Sequence, residues 1–179
     1  MRPSRPVVVA LCGFAAALLM STSPVGAVDM QDDPKGFLNP PDTHYAWGST
    51  LDDNPALKRT YTSPTISEYQ LNDRPPQIDT IPVSTVKFSS LQGEFARVTV
   101  RYQGEATHKQ LLAYLQRRYG PLDRTPGQMV RGLNQQFNWR GVDTEINLTY
   151  EGQSERGYIF FDSRTLAPRF NDGITDSSE

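Results

Sequence analysis

The chain reads as an α+β domain: an antiparallel sheet of about five to six strands packed on one main helix, in the order β-β-α-β-β-β, behind a proline-rich N-terminal arm. Three observations predict this. Apolar and polar residues alternate from Ala96 to Tyr102 and again from Val142 to Tyr150, the period of a strand with one covered face. A single stretch, Thr107 to Tyr119, places Leu111, Leu112, Leu115 and Tyr119 at helical spacing. The links between the expected strands are short and polar, which demands antiparallel pairing, and one helix can cover only one face of such a sheet.

Residues 1–27 precede this domain and have the features of a secretory signal peptide. Arg2 and Arg5 lead into an apolar run from Val7 to Met20, and Val25-Gly26-Ala27 supplies small residues before a cut after Ala27. The run is shorter than the ~20 residues that span a bilayer, so no stable membrane anchor is expected after cleavage. Cys12 is the only cysteine and falls inside this leader; the mature chain would have neither disulfide nor thiolate, and no cysteine at the cut to carry a lipid. Without the leader 152 residues remain, 16 of them basic and 20 acidic. That length suffices for one core, and the acidic balance argues against nucleic acid as a partner, since each neutralised phosphate needs its own Lys or Arg.

The segment 28–82 holds eight of the 14 prolines and two Asp-Asp pairs, and reads as an irregular arm with a possible strand at 65–71, where Ile66, Tyr69 and Leu71 are apolar. Within it, His44-Tyr45-Ala46-Trp47-Gly48 reads as an anchor onto the domain, because Trp buries much apolar area while offering one donor. The core spans 83–170. Val86 and Phe88 open a hairpin whose second strand presents Ala96, Val98, Val100 and Tyr102 on one face and Arg97, Thr99 and Arg101 on the other. Thr107 and Gln110 form a capping-box pattern, Arg117 and Arg118 suit the negative end of the helix dipole, and Gly120-Pro121 ends the helix. A loop over 123–134 follows, with Arg124, Met129, Val130 and Arg131 making it basic and partly apolar. Three strands are then expected: Phe137 with Trp139, the run from Val142 to Tyr150, and Tyr158 to Phe161, whose Phe160-Phe161 pair suggests a central position or a covered strand. The polar tail 171–179 is expected to be disordered.

The residue inventory narrows the chemistry. His44 and His108 are the only histidines and lie far apart, so no zinc spacing exists and neither metal nor cofactor is expected; Asp52-Asp53-Asn54 lacks the glycine turn and distal Glu of a calcium loop. No nucleophile signature occurs, and His108, in the first turn of the helix, is expected at the surface or an edge. Glu94, Glu105 and Glu145 are the carboxylates considered for a hydrolytic pair. If the apolar sides of the strands face the helix, Lys87, Arg97 and Arg101 share the other face with Gln136, Asn138, Arg140, Asp143 and Glu145. Ion pairs between Arg97 or Arg101 and Asp143 or Glu145 account for such a face more simply than recognition does. The candidate binding residues are accordingly Lys87, Arg97, Arg101 and Arg140 on the sheet and Arg124, Met129 and Arg131 in the loop. Asn147-Leu148-Thr149 matches a glycosylation sequon but falls in mid-strand. The functional expectation is a small exported protein of the bacterial envelope, periplasmic or secreted, acting without catalysis as an accessory, inhibitor or immunity-like module whose partner is an envelope protein. Two alternatives are a small secreted hydrolase using paired carboxylates and a carrier enclosing an apolar ligand among Val98, Leu115, Ile146 and Phe160.

Overall fold

A computed structural model describes residues 28–39, 43–122 and 134–169. The expected signal peptide, the loop residues Arg124, Met129 and Arg131 and the tail 171–179 lie outside the described residues. In chain order the elements are β1 (Val28–Asp29), β2 (Gly36–Asn39), β3 (Thr43–Ala46), β4 (Leu57–Thr62), β5 (Ile66–Leu71), β6 (Gln77–Ile78), β7 (Ile81–Pro82), β8 (Thr85–Leu91), β9 (Glu94–Gln103), α1 (Glu105–Tyr119), β10 (Asn134–Arg140), β11 (Thr144–Glu151) and β12 (Arg156–Ser163).

The architecture is a sheet-rich α+β fold dominated by antiparallel pairing. Eight strands form one sheet in the order β1-β10-β11-β12-β9-β8-β5-β4, and only the two-residue β1 pairs in parallel. The sheet is thus larger than the five or six strands read from the sequence, because the segment 28–82 contributes β1, β4 and β5. Pro64 lies in the β4–β5 turn and Pro75 and Pro76 follow β5, whereas Pro82 ends the two-residue β7. β4 shows no alternation because it is an edge strand, with every residue after Leu57 exposed.

The inner face carries the core. Register aligns Phe137, Leu148, Ile159, Val100 and Val86 in one row across five strands and Trp139, Ile146, Phe161, Val98 and Phe88 in the next. On these rows rests α1, through the buried Leu111, Tyr114, Leu115 and Tyr119. The β2–β3 hairpin covers the rest: Phe37 meets Phe88 and Phe161 edge-on, and Tyr45 lies against Phe88. Trp47 anchors this segment, stacking on Phe95 and donating Nε1–H to Thr144 Oγ1 at 2.7 Å.

Four local expectations are corrected. A bulge in the β8–β9 register, between Ser89 and Ser90, turns Phe95 into the aromatic cluster and moves Ala96 into a small cluster with Ile66, Leu91 and Leu166. The extra residue shifts the period by one beyond Arg97, so the face assigned to Ala96 belongs to Phe95. The helix starts three residues earlier than its capping-box pattern suggests: Gly104, at φ 94°, is the N-cap in place of Thr107 and no side chain caps the turn. β9 runs straight into this one-residue joint, a backbone conformation that favours glycine. At the other end Gly120 takes φ 109° and ψ 155°, a positive-φ conformation that favours glycine, as expected, but with a ψ outside the left-handed helical cap. Finally, Val142 lies in the β10–β11 turn and is 81% exposed, so it does not share the face of Ile146 and Leu148.

That turn holds the N-terminal segment to the sheet. The Asp33 carboxylate accepts hydrogen bonds from the backbone amides of Val142, Asp143 (2.8 Å) and Thr144 (3.0 Å), and Pro34 O accepts from the buried Thr144 hydroxyl. Gly141 leaves room for this: a Cβ there would overlap the Asp33 carboxylate.

Candidate binding face

The outer face of the sheet is built from the residues that alternate with the core rows. Register places Gln136, Thr149, Tyr158, Arg101 and Thr85 side by side across β10, β11, β12, β9 and β8. The next row is Asn138, Asn147, Phe160, Thr99, Lys87 and Gln70, and a third is Arg140, Glu145, Asp162, Arg97, Ser89 and Glu68. Amides, hydroxyls and aromatic rings therefore occupy two rows, and charges are concentrated in the third.

The charged row is neutralised by pairs within it and by Lys87 from the row beside it. Arg97 grips Asp162 through Nε (2.5 Å) and Nη2 (3.2 Å), with both side chains mostly buried, and its guanidinium lies over the Phe160 ring. Lys87 donates to Glu68 at 2.6 Å, and Arg140 lies 3.6 Å from Glu145. The pairs expected between Arg97 or Arg101 and Asp143 or Glu145 are not the ones formed; Asp143 sits in the β10–β11 turn, and the register brings Asp162 and Glu68 to Arg97 and Lys87 instead. Arg101 differs from the other three. It is exposed and has no carboxylate partner among the described residues, and its guanidinium lies 5.6 Å from the Tyr158 ring centroid. The rings of Tyr158 and Phe160 are parallel, 6.2 Å apart. Sequence reading missed this pair because it took the apolar run of β12 as a whole; only the alternation of Tyr158 and Phe160 against Ile159 and Phe161 could have shown it.

Where the outer face reaches the starts of β10 and β12 it forms a groove of about 410 Å³ between Gln136, Thr149 and Tyr158 on one row and Asn134, Glu151 and Arg156 on the next. Arg156 is exposed and has no carboxylate within ion-pair distance among the described residues, while Glu151 accepts from Ser154 Oγ at 2.5 Å. Polar atoms without partners gather on the same face: Thr85 Oγ1, Asn138 Oδ1 and Asn147 Oδ1 are buried and unbonded.

The alternative chemistries fare differently. Glu94 and Glu105 lie at opposite ends of β9, separated by about 30 Å of strand, and Glu105 pairs with Lys109. Glu145 has Asp162 as its cross-strand neighbour, an acid that the sequence did not single out, but an arginine engages each carboxylate. Val98, Leu115 and Ile146 are fully buried in one continuous core, whereas Phe160 lies on the opposite side of the sheet, so these four do not line a common interior. His108 is buried rather than at the surface. It stacks on Tyr150 at 4.3 Å between centroids; Nε2 lies 3.1 Å from Gln135 Oε1, and Nδ1 lies 2.8 Å from Tyr102 Oη. The Gln135 carbonyl oxygen can only accept, which puts a proton on Nε2, while the Tyr102 hydroxyl beside Nδ1 also lies 3.1 Å from Thr149 O, to which it donates. Desolvation lowers the His108 pKa below its ordinary 6.5 and raises that of Tyr102.

A second hollow of about 320 Å³ lies between Lys35, Trp47, Glu94, Asp143 and Ser163. Its Glu94 is tied to Arg169, and its tryptophan is committed to Thr144. Among the described residues no group of three or more His, Cys, Asp or Glu side chains is gathered as a metal site, and no helix is long and apolar enough to cross a membrane. The chain matches no protein-family model, no curated protein and no solved structure.

Proposed function

We propose that the protein is a non-catalytic recognition module of the cell envelope, exported by the leader at 1–27, that binds a partner through the outer face of its sheet. The observation that carries this reading is Tyr158, Phe160 and Arg101 standing together on the side of the sheet opposite α1 and the β2–β3 hairpin. Aromatic and arginine side chains dominate recognition energetics because they bury large areas at low entropic cost and bring directional donors. Arg97, Lys87 and Arg140 serve this face as its frame: their carboxylate partners hold them in register across six strands, and such pairs contribute specificity of arrangement more than stability.

The test is capture from envelope material by residues 28–179, assayed for both protein and carbohydrate, beside the Arg101→Glu/Tyr158→Ala variant. Saturable capture that the double substitution abolishes, with the circular dichroism of the variant unchanged, supports the reading. Capture that survives the substitutions, or none at all, refutes it.

A further inference from the structure

Resting on that reading, we propose that the groove beside Tyr158 and Arg101 takes an acidic glycan, a chain of sugar rings carrying carboxylates. Three observations select this ligand class.

The first is how the face offers its hydrogen bonds. In the interior of the sheet the backbone N–H and C=O groups are spent on the ladders, so a ligand lying on the face meets side chains only. A peptide bound as an added strand needs a free backbone edge. Among the described residues β4 is poorly suited to that, because a register break between Arg59 and Tyr61 and the exposed Lys58 and Arg59 blunt it, and β10 is open only over 134–138, where β1 does not pair, a short stretch whose use by a peptide the oligoglutamate arm below would reveal. The outer face instead offers the amides of Gln136, Asn138 and Asn147 and the hydroxyls of Thr149 and Thr99 around two aromatic rings. A pyranose ring matches this mixture, with hydroxyls around its rim and an apolar C–H face to lie on an aromatic ring.

The second is spacing. Functional side chains along one row repeat with the distance between strands, about 4.8 Å, and the row from Gln136 to Thr85 therefore runs about 19 Å. That repeat is close to the advance per ring of an extended glycan, so successive sugars would meet amide, hydroxyl, aromatic ring and guanidinium in turn.

The third is charge. Arg101 and Arg156 are exposed on either side of Tyr158, neither with a carboxylate at ion-pair distance among the described residues. Glu151, the one acid in the groove, opposes them and is engaged by Ser154. Arg156 and Glu151 offset each other within the groove, and Arg101, one strand away beside Tyr158, leaves a balance of one positive charge; planar guanidinium groups are the donors best shaped to take carboxylates in pairs. The groove volume of about 410 Å³ lies within the range of small-ligand sites.

The experiment is titration of residues 28–179, followed by amide chemical shifts, with four probes: an oligogalacturonate, an oligosaccharide of N-acetylated amino sugars bearing lactyl carboxylates, the carboxyl-reduced form of the first, and oligoglutamate. The expected result is saturable shifts at Gln136, Thr149, Tyr158 and Arg101 with at least one acidic sugar. Binding should weaken about tenfold on carboxyl reduction and by a similar factor in each of Arg101→Ala and Arg156→Ala, and should weaken with salt. Tyr158→Ala should abolish it, while Lys58→Ala on the blunted edge leaves it unchanged. Failure of both acidic sugars, equal affinity for the carboxyl-reduced chain, or tighter binding of oligoglutamate each overturns the inference. If envelope capture still depends on Arg101 and Tyr158 while both sugars fail, the ligand class is wrong and the binding face stands; if neither binding is seen, both fall.

Discussion

Replacing Asp33 with alanine tests the bond between the N-terminal segment and the sheet. The carboxylate serves three amides of the β10–β11 turn, and their fates on its removal differ. Val142 is 81% exposed, so its amide and that of its neighbour Asp143 can turn to water, each losing about 0.5–1 kcal/mol. Thr144 is fully buried, and its N–H would be stranded at about 1–3 kcal/mol. The sum is about 3 kcal/mol for Asp33→Ala, and about half of that for Asp33→Asn, which keeps one acceptor and loses the charge. In a domain of this size it corresponds to a fall in Tm of about 6–12 °C. Urea denaturation is the assay: the midpoint should drop with the slope unchanged. Gly141 supplies an internal control, because the atoms a Cβ would strike belong to the Asp33 carboxylate. Gly141→Ala should cost about 1–3 kcal/mol in the native background and much less in Asp33→Ala. A loss below about 0.5 kcal/mol for Asp33→Ala, or strict additivity in the cycle, would refute the reasoning.

Three further outcomes follow from the same geometry. His108 is held neutral, with a folded pKa below its ordinary 6.5, so its contribution to stability is complete above that value and is lost as pH falls through it towards the lower folded pKa. Chemical denaturation between pH 8 and pH 5, an interval of about 3 units around that titration, should show this loss reduced in His108→Gln, and an unchanged profile would count against it. Trp139→Phe removes the donor that reaches Gly120 O at 2.9 Å from a fully buried ring, and should cost about 2–3 kcal/mol in the same urea assay while dimming the blue-shifted part of the fluorescence. Gly104→Ala places a Cβ at φ 94° in the joint between β9 and α1; a destabilisation of about 1–2 kcal/mol is expected, and an unchanged midpoint would show that the joint relaxes freely.

What the sequence made legible was periodicity on strands with two different faces. β11 and the second half of β9 could be read directly, and Phe160-Phe161 marked β12 as central, which its place between β11 and β9 matches. Long-range or two-sided effects were not legible. β4 has no covered face and hence no period; Phe95 took the place of Ala96 because a bulge shifts the count. His108 looked like a surface residue by position, yet its burial depends on Gln135, Tyr150 and Tyr102 arriving from β10, β11 and β9. The same holds for the binding face. Lys87, Arg97, Arg101 and Arg140 were assigned to the correct side, but which of them is uncommitted is decided by Glu68, Asp162 and Glu145 on neighbouring strands. The groove needed Tyr158, which the alternation along β12 could have placed on the outer face, and Arg156, which no local pattern distinguishes from the turn before it.

The parallel pairing of β1 with β10 has a consequence for the order of events along the chain. Val28 and Asp29 lie opposite Trp139 and Arg140, and Asp33 serves amides beyond them, so the first described residues close a loop of more than a hundred residues. Loop closure of that length carries an entropic cost that local hairpins do not, and it is repaid only after β10 and β11 are in place. The β8–β9 hairpin, α1 and the β10–β12 meander can assemble from near neighbours, whereas the leading segment has nothing to dock on until they have. Docking of residues 28–33 therefore depends on β10 and the β10–β11 turn already being in place.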